Sequence, residues 1–405
     1  MASRHKHWAE DYMADIIIAH PSLNRGGGAE KVCLALTKTL VDAGYSIRLA
    51  TLERTDWKML EKRFGEITRP NSETYFTNSI SNLSMLPQAA VTVSLFSLML
   101  LHLKRKGGTL INTYGDLIEG LADLAYVNAI PIKLSHRVSS GLSHSFIWRA
   151  SACIYNELSA IGPPHRSLLI SNSKFIQYIL LKILGRNSII IHPPVDVDVF
   201  MKRSQSRKKR ENLVITVSRL RPGKGLSIIP KVANLAKEIE FILLGIADRA
   251  SKTTLKEINT LIKHFKIDDR VKILLNQEFN DYVDILSSAT LYLHTQTSEA
   301  FGISVVEAMA AGCIPLVPRS GGPWVDILSC TQGLYGFSYH NEVEAATIIN
   351  MLLNNKSLRR EAMEKVRLRA LNFNRSVFER KILNVIDKLC EKTRLPLKMW
   401  SDKER

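Results

Sequence analysis

A strand, a helix and a second strand are encoded by the stretch Leu291-Tyr-Leu-His-Thr-Gln-Thr-Ser-Glu-Ala-Phe-Gly-Ile-Ser-Val-Val-Glu-Ala-Met-Ala-Ala-Gly-Cys-Ile-Pro-Leu-Val317. Its apolar runs at Leu291–Thr295 and Ile314–Val317 predict two buried strands, and the stretch Ile303–Ala311 between them predicts a helix. Two strands joined by a helix are typically parallel neighbours in one sheet. This unit therefore indicates an α/β fold.

The same alternation continues in both directions along the chain. The second half has further predicted strands at Leu213–Ser218, Glu240–Leu244, Val271–Leu274 and Leu334–Phe337, and helices at Leu226–Ala236, Lys252–Phe265 and Tyr282–Ala289. The first half has predicted strands at Asp15–Ala19, Ser46–Ala50, Thr109–Thr113, Ile132–Ser135, Ser167–Ser171 and Ile189–His192, and helices at Ala29–Ala43 and Ser173–Leu184. From Glu342 to about Glu391 the pattern is continuously helical. Two Rossmann-like parallel sheets are the simplest interpretation.

The chain is predicted to have four parts. They are an N-terminal Rossmann-like domain at 1–200, a basic linker at 201–212, a C-terminal Rossmann-like domain at 213–373, and a helix with a basic tail at 374–405 that can pack back on the N-terminal domain. The linker is predicted because the stretch from Met201 to Glu211 is polar and basic and lacks apolar periodicity. Such a run is more often a solvated loop than a nucleic-acid patch.

Composition excludes several classes of protein. The 405 residues include 55 Lys+Arg and 38 Asp+Glu, a net charge of +17, with 45% hydrophobic residues, so a disordered chain, collagen and a disulfide miniprotein are excluded. The five cysteines are scattered, with no C-x-x-C pair and no histidine at ligand spacing, so neither a zinc site nor a disulfide framework is indicated. A reducing compartment is expected. The polar N-terminus predicts no secretory signal.

Loops that follow predicted strands hold residues suited to bind anions. Ligands of open parallel sheets bind beyond the carboxyl ends of the strands. Gly26, Gly27 and Gly28 precede a predicted helix, and their backbone N–H groups suit a phosphate, although a flexible turn explains the pattern equally well. Arg219 and Lys224 follow the first strand of the second half. Both suit a diphosphate, since Arg binds phosphate bidentately and Lys adds a mobile charge. That both are ordinary surface charges explains the pattern equally well.

Two glutamates lie near the start of the predicted helix Ile303–Ala311. Glu299 precedes this helix and Glu307 lies about one turn inside it, so at about 3.6 residues per turn both face the same side of the cleft. Paired carboxylates there can accept hydrogen bonds from vicinal hydroxyl groups. A solvated helix face explains Glu307 poorly, because its neighbours are apolar. The helix N-terminus around Gly302–Ser304 suits phosphate oxygens.

Together these segments resemble the retaining GT-B glycosyltransferases of family 4 over most of the chain. The most specific shared element is E-x7-E, from Glu299 to Glu307. Further shared segments follow in the family's order: Ser173-Lys-Phe, His192-Pro-Pro-Val-Asp196, Val217-Ser-Arg219 and Gly223-Lys224-Gly225. The mannosyltransferases that extend dolichol-linked oligosaccharide, and their archaeal homologues, are similar in four more: His20-Pro, Gly26-Gly27-Gly28-Ala-Glu30, Asn112-Thr-Tyr-Gly-Asp116 and Ser320-Gly-Gly-Pro323.

The resemblance implies a GT-B fold, in which two Rossmann-like domains face each other across a cleft, and it implies roles for single residues. It implies that Glu299 binds the donor sugar, that Glu307 binds the nucleotide ribose, and that Arg219 and Lys224 hold the diphosphate. The other predicted donor-binding residues are Gly27, Gly28, Phe301, Gly302 and Ile303. His136 corresponds by position to the family's catalytic-region histidine and forms the predicted catalytic pair with Glu299. By itself a lone histidine is more often structural. No metal and no other cofactor is expected.

The implied reaction moves a sugar, with retention, from GDP-mannose or a UDP-sugar to a polyprenyl- or dolichol-phosphate-linked glycan. An alternative on the same fold is a nucleotide-sugar epimerase or a phosphorylase, since a fold does not determine a reaction. An alternative from a different class is a basic nucleic-acid-binding protein. No aromatic-studded basic sheet or recognition helix supports that alternative, so no nucleic-acid partner is expected.

An anionic membrane surface is also a predicted partner. The charge of +17 and the apolar stretch Ala89–Leu103, directly followed by Lys104-Arg-Lys106, favour attachment to such a surface. The stretch is shorter than the roughly 20 residues that span a bilayer, and it is either a buried helix or a membrane-seated one. We therefore expect a cytoplasmic protein that is peripheral on the cytoplasmic face of a membrane.

Overall fold

The computed structural model describes residues 16–78, 88–105, 107–115, 121–130, 167–206, 210–248 and 251–401. The first sheet within these ranges contains β1 (Ile16–Ala19), β2 (Ile47–Glu53), β3 (Ser72–Thr77), β4 (Thr109–Asn112), β5 (Leu124–Val127), β6 (Leu168–Ser171) and β7 (Ile189–Ile190). They pair in parallel in the order β3-β2-β1-β4-β5-β6-β7. The helices of this half are α1 (Gly28–Asp42), α2 (Trp57–Phe64), α3 (Gln88–Arg105), α4 (Lys174–Leu184) and α5 (Val197–Gln205).

The second sheet restarts the same architecture. Its strands are β8 (Arg210–Arg219), β9 (Glu240–Ile246), β10 (Val271–Leu275), β11 (Ala289–Leu293), β12 (Ile314–Pro318) and β13 (Phe337–Tyr339), paired in parallel in the order β10-β9-β8-β11-β12-β13. Its helices are α6 (Ile228–Leu235), α7 (Lys252–Phe265), α8 (Phe279–Ser288) and α9 (Ile303–Ala310), followed by α10 (Glu342–Asn354), α11 (Lys356–Ala370) and α12 (Arg375–Ser401). The predicted α/β class is confirmed.

Alternating side chains of the central strands enter two separate cores. In β9, Phe241 and Leu243 pack on one face of the sheet, and Ile242 and Leu244 pack on the other. Successive side chains of a strand point to opposite faces, so a parallel sheet covered on both faces requires a nearly continuous apolar run. This requirement is the reason that the short apolar runs predicted the second sheet well.

The last helix returns to the first sheet. Phe378, Ile382 and Ile386 of α12 are buried in the core that also contains Ile16 and Tyr126. The hydroxyl of Tyr45 donates a hydrogen bond to Asp387 Oδ1 at 2.5 Å. The helix therefore joins the two halves, because it begins beside the second sheet and packs on the first.

Some predicted elements differ in the structure. The continuous helix from Glu342 to Glu391 is wrong: it is interrupted after α10 and again after a short 3-10 turn, Leu371–Phe373, because Asn355 and Asn374 have extended backbones. The Asn355 side chain accepts the Leu358 N–H at 2.9 Å, which starts a new helix. The predicted linker is only partly a connection, since α5 continues to Gln205 and β8 begins at Arg210.

Five strands depart from the prediction, and one of them, β11, spans Ala289–Leu293 where Leu291–Thr295 is predicted. β3 was missed because it is a largely exposed edge strand without an apolar run, and β5 because four apolar residues are too short to identify by periodicity. β7 is shorter than predicted. β13 begins at Phe337 and not at Leu334, because a turn closed by the Gly333 N–H to Gly336 O bond precedes it. The predicted strand Ile132–Ser135 lies outside the described residues.

The apolar stretch Ala89–Leu103 forms most of α3. Phe96, Leu100 and Leu103 are buried against residues of the first sheet, whereas Leu98 is exposed. The buried-helix interpretation is confirmed for the face that carries Phe96 and Leu100. Across the described ranges, no helix is both long and apolar enough to cross a bilayer.

Candidate functional site

A cavity of about 570 Å³ lies between the two sheets and is lined by loops at the carboxyl ends of strands from both. Nine of the ten predicted site residues line it: Gly27, Gly28, Arg219, Lys224, Glu299, Phe301, Gly302, Ile303 and Glu307. The tenth, His136, lies outside the described residues. Residues far apart in sequence thus meet because parallel strands direct their carboxyl ends to one edge of each sheet.

The glycine loop lets the two halves approach closely. A Cβ atom on Gly27 would lie 3.1 Å from Arg219 Cζ, and one on Gly28 would lie 3.3 Å from Ile303 Cδ1. α1 begins at Gly28, so the partial positive charge of its N-terminus is directed at the same space as the Arg219 guanidinium. This corner of the cavity is suited to bind an anion.

A buried carboxylate supports the glycine loop from within. Glu30 Oε2 accepts the Gly27 N–H at 2.8 Å, and Glu30 Oε1 lies 3.7 Å from His20 Nε2. Burial alone would raise the pKa of the Glu30 carboxyl, but His20 and then Arg219 outweigh it and lower this pKa to about 2. His20 Nδ1 is in turn 2.9 Å from Thr113 Oγ1. Glu30 is therefore ionised and holds the loop in place.

Arg63 of α2 is an additional cation that the sequence did not single out. Its Nη1 donates to the Arg25 carbonyl at 3.2 Å, and the side chain lies beside Gly26 in the cavity wall. Burial lowers the pKa of Arg63, Glu30 opposes that effect, and the nearby charge of Arg219 lowers the pKa further. The charge of Arg219 acts unfavourably on that of Arg63, so an anion bound between the two guanidinium groups would relieve the repulsion.

Lys224 and Glu299 form an ion pair on the opposite wall. Lys224 Nζ lies 3.2 Å from Glu299 Oε2 and also donates to Gln296. Burial favours the neutral form of Glu299, but the Lys224 charge outweighs it and lowers the pKa of Glu299. The Gly322 N–H donates to Glu299 O at 2.8 Å, and a Cβ on Gly322 would lie 2.2 Å from Ala300 O. The Ser320–Pro323 segment thus packs against the backbone of the Glu299 loop and helps to hold it in position.

Glu307 has partners from both halves of the chain. Its Oε1 is ion-paired with Lys31 of α1, and its Oε2 accepts the Tyr282 hydroxyl at 2.5 Å. Burial and the adjacent Glu307 charge raise the pKa of Tyr282 well above its usual value. Glu299 and Glu307 line the same cavity, as their spacing predicts. A diol that approaches Glu307 would compete with Lys31 for the Glu307 Oε1 atom.

Two other motifs join the halves. Asp326 Oδ1 accepts the Lys174 N–H at 2.7 Å, at the start of α4, and lies 2.9 Å from His192 Nε2. The Ser173 side chain caps the same helix by accepting the Ile176 N–H at 3.1 Å. These contacts couple α4 to the second sheet, and of the two motifs only Pro193 lines the cavity.

The wall residues together can bind a phosphorylated, hydroxyl-rich ligand. Cations and helix N-termini on both walls suit phosphate oxygens, and the two glutamates suit hydroxyl groups. Among residues of the described ranges, no group of three or more His, Cys, Asp or Glu side chains is placed to hold a metal ion.

Comparison with known proteins agrees with this geometry. Residues 198–369 match the family model described as "Glycosyl transferases group 1". A human GDP-Man:Man(3)GlcNAc(2)-PP-Dol alpha-1,2-mannosyltransferase is 28% identical over 244 residues, which cover 56% of this chain and 50% of the relative. The Dictyostelium discoideum protein of the same description is 25% identical over 324 residues, 74% of this chain and 62% of the relative. The chain spans about half the length of the human relative.

Solved structures are similar over nearly the whole chain. Anabaena HepE in complex with UDP and glucose has a TM-score of 0.70 at 19% identity, covering 92% of this chain and 99% of HepE. Sucrose-phosphate synthase from Thermosynechococcus elongatus has a TM-score of 0.74 at 14% identity, covering 94% and 100%. The chain has a GT-B fold, as predicted.

Proposed function

We propose that this protein is a retaining, metal-independent glycosyltransferase that moves a sugar from a nucleoside-diphosphate donor to a polyprenyl- or dolichol-phosphate-linked glycan. GDP-mannose is the first candidate donor, because the similar human and Dictyostelium proteins are named for it, and a UDP-sugar is the second. One observation carries the proposal. A single cavity gathers the cations Arg219 and Lys224 with the carboxylates Glu299 and Glu307, in the segment that matches a glycosyl transferase family.

The donor would lie along the wall of the second half. Glu307 is proposed to accept hydrogen bonds from the ribose hydroxyls, in place of its bond with Lys31. Arg219 and Lys224 would hold the diphosphate, with the N-termini of α1 and α9 on either side. Glu299 would then face the transferred sugar. This order follows the roles that the family resemblance implies, and all four side chains line the one cavity.

The cations would also stabilise the transition state. Negative charge builds on the diphosphate as the bond to the sugar breaks, and the sugar becomes oxocarbenium-like. Fixed cations and backbone N–H groups aimed at the leaving group are the strongest kind of stabilisation available to such a site. They can supply the charge that Mg²⁺ provides elsewhere, which supports a metal-independent reaction.

The proposal also includes the acceptor and the surface on which the acceptor is presented. His136 is proposed to act near the donor sugar, together with Glu299. The net charge of +17 and Arg105 at the basic end of α3 favour attachment to the anionic cytoplasmic face of a membrane, whereas the neighbouring Lys104 is ion-paired with Asp123. Co-sedimentation with anionic vesicles tests this: binding that weakens as salt increases is expected, and no binding at low salt would contradict it.

Two measurements test the function. A thermal-shift panel of GDP, GDP-mannose, UDP and UDP-glucose identifies the donor, because a ligand that binds the folded state alone raises the melting temperature. Incubation of that donor with a polyprenyl-diphosphate-linked oligosaccharide should then yield a lipid-linked product extended by one hexose. An epimerised donor, or release of the sugar to phosphate, would instead favour an epimerase or a phosphorylase.

A further inference from the structure

The His294 side chain belongs to the cleft but has no part in the roles proposed above. It directly follows β11, lines the cavity and is only 5% exposed. Within the described part of the chain, neither of its ring nitrogens has a hydrogen-bond partner. Buried polar atoms are nearly always paired in native proteins, so a histidine of the cavity wall with no partner for its ring indicates a ligand that pairs at least one of the two nitrogens.

The backbone and neighbours of His294 keep its ring in this position. The His294 N–H donates to Leu316 O at 2.8 Å, and its carbonyl accepts the Tyr339 hydroxyl at 2.6 Å. The ring is stacked 6.4 Å from Tyr292, whose hydroxyl donates to Ser304 Oγ at 2.8 Å in the first turn of α9. Both the sheet and α9 therefore fix the ring against the cavity.

The charge around His294 selects the kind of ligand. Burial lowers the pKa of His294 to about 4, Glu299 opposes the shift, and Lys224 adds to it. The ring is then neutral at pH 7, with one nitrogen as donor and the other as acceptor. A phosphate oxygen would bind to the cations Lys224 and Arg219 more favourably than to this neutral ring. A hydroxyl group suits a neutral ring beside a carboxylate, because it can accept from the ring N–H and donate to Glu299.

We infer that His294 is a specificity-determining residue that binds a hydroxyl group of the transferred sugar, between Lys224 and Glu299. This inference rests on the proposed function and adds a residue to its sugar-binding end. It predicts that His294 contributes to the affinity for a sugar nucleotide and not to that for the nucleoside diphosphate alone.

Calorimetric titration of GDP and GDP-mannose into wild type and three variants tests the inference. His294→Phe removes both nitrogens, His294→Asn keeps one polar donor, and His264→Phe alters an exposed histidine of α7 outside the cavity. We expect His294→Phe to bind GDP as wild type does and to bind GDP-mannose about tenfold more weakly, as the loss of one or two hydrogen bonds predicts. His294→Asn should fall between the two, and His264→Phe should match wild type.

The outcomes separate the inference from the function on which it rests. An equal loss for GDP and GDP-mannose would show a structural role for His294, and no loss for either would show no role; both results overturn the inference. If wild type binds UDP and UDP-glucose instead, the same comparison applies to that pair. If wild type binds none of the four ligands, the proposed function fails, and the inference fails with it. Bound GDP also serves as the test that each variant is folded.

Discussion

Replacing Arg219 by Ala tests the proposed diphosphate site most sharply. The guanidinium lies against Gly27 at the start of α1, where phosphate oxygens would meet both the Arg219 charge and the helix N-terminus. Removing one such preorganised donor costs about 2–4 kcal/mol of transition-state stabilisation. At about 1.36 kcal/mol per factor of ten, kcat/KM should fall by about 30- to 900-fold.

The same change should have little effect on folding. Without Arg219, Glu30 loses one of the positive charges that lower its pKa, and Arg63 is freed from a repulsive neighbour. These two effects oppose each other, so the melting temperature should stay close to that of wild type. Arg221→Ala is the matched control, because Arg221 lies two residues away, is 42% exposed and pairs with Asp248 at the surface.

The assay is transfer of labelled sugar to a lipid-linked acceptor, with a chelator present throughout. Wild type and Arg221→Ala should remain active, and Arg219→Ala should lose activity within the range above. If Arg219→Ala and Arg221→Ala had the same kcat/KM, neither the diphosphate role of Arg219 nor the metal-free scheme would stand.

Three further experiments, on four variants, give distinct results. Glu307→Gln should mainly raise the donor KM, because it weakens binding of the ribose, whereas Glu299→Gln should mainly lower kcat, because it misplaces the sugar. Steady-state kinetics checks both expectations. Equal effects on KM and kcat in both variants would contradict them. Lys31→Met leaves the buried Glu307 without its cation, so the free energy of unfolding measured in urea should fall by about 1–3 kcal/mol. This value is smaller than that for a fully buried pair, because Lys31 is partly exposed. An unchanged urea midpoint would show that the ion pair contributes nothing to stability. The pKa of His294 is lowered from 6.5 to about 4 in the folded state, so the unfolded chain binds more protons than the folded protein between these two pH values. The free energy of unfolding should therefore fall by about 3 kcal/mol as the pH decreases from 6.5 to 4. His294→Phe should lose this slope between pH 6.5 and 4, and an identical slope in both proteins would be evidence against a neutral buried ring.

The donor wall was more predictable from the sequence than the rest of the site. Arg219 ends an apolar strand, Lys224 and Glu299 lie in loops that follow apolar strands, and Glu307 lies one turn inside the next helix, so the position of each relative to its strand was visible in the sequence. Parallel topology alone then brings such loops together. This is why local pattern was enough to place them in one cavity.

The partners of these residues were not predictable, because they come from distant parts of the chain. Lys31, Arg63 and Tyr282 each lie in an amphipathic helix, where a polar side chain ordinarily faces solvent. Packing of the two halves brings Lys31 to Glu307, and tertiary packing within the second half brings Tyr282 there. His294 carried a weak signal, a polar residue at the carboxyl end of a predicted strand, but its lack of partners required the tertiary structure.

One cleft, built from both halves of the chain, is proposed to hold the nucleotide with its ribose at Glu307. Periodate-oxidised GDP and UDP carry a ribose dialdehyde that forms an imine with a nearby lysine, and borohydride makes the bond permanent. Because Lys31 is ion-paired with Glu307, mass spectrometry of the labelled protein should find the modification at Lys31, and excess unmodified nucleotide should prevent it. Labelling that is confined to surface lysines and unaffected by excess nucleotide would contradict the account.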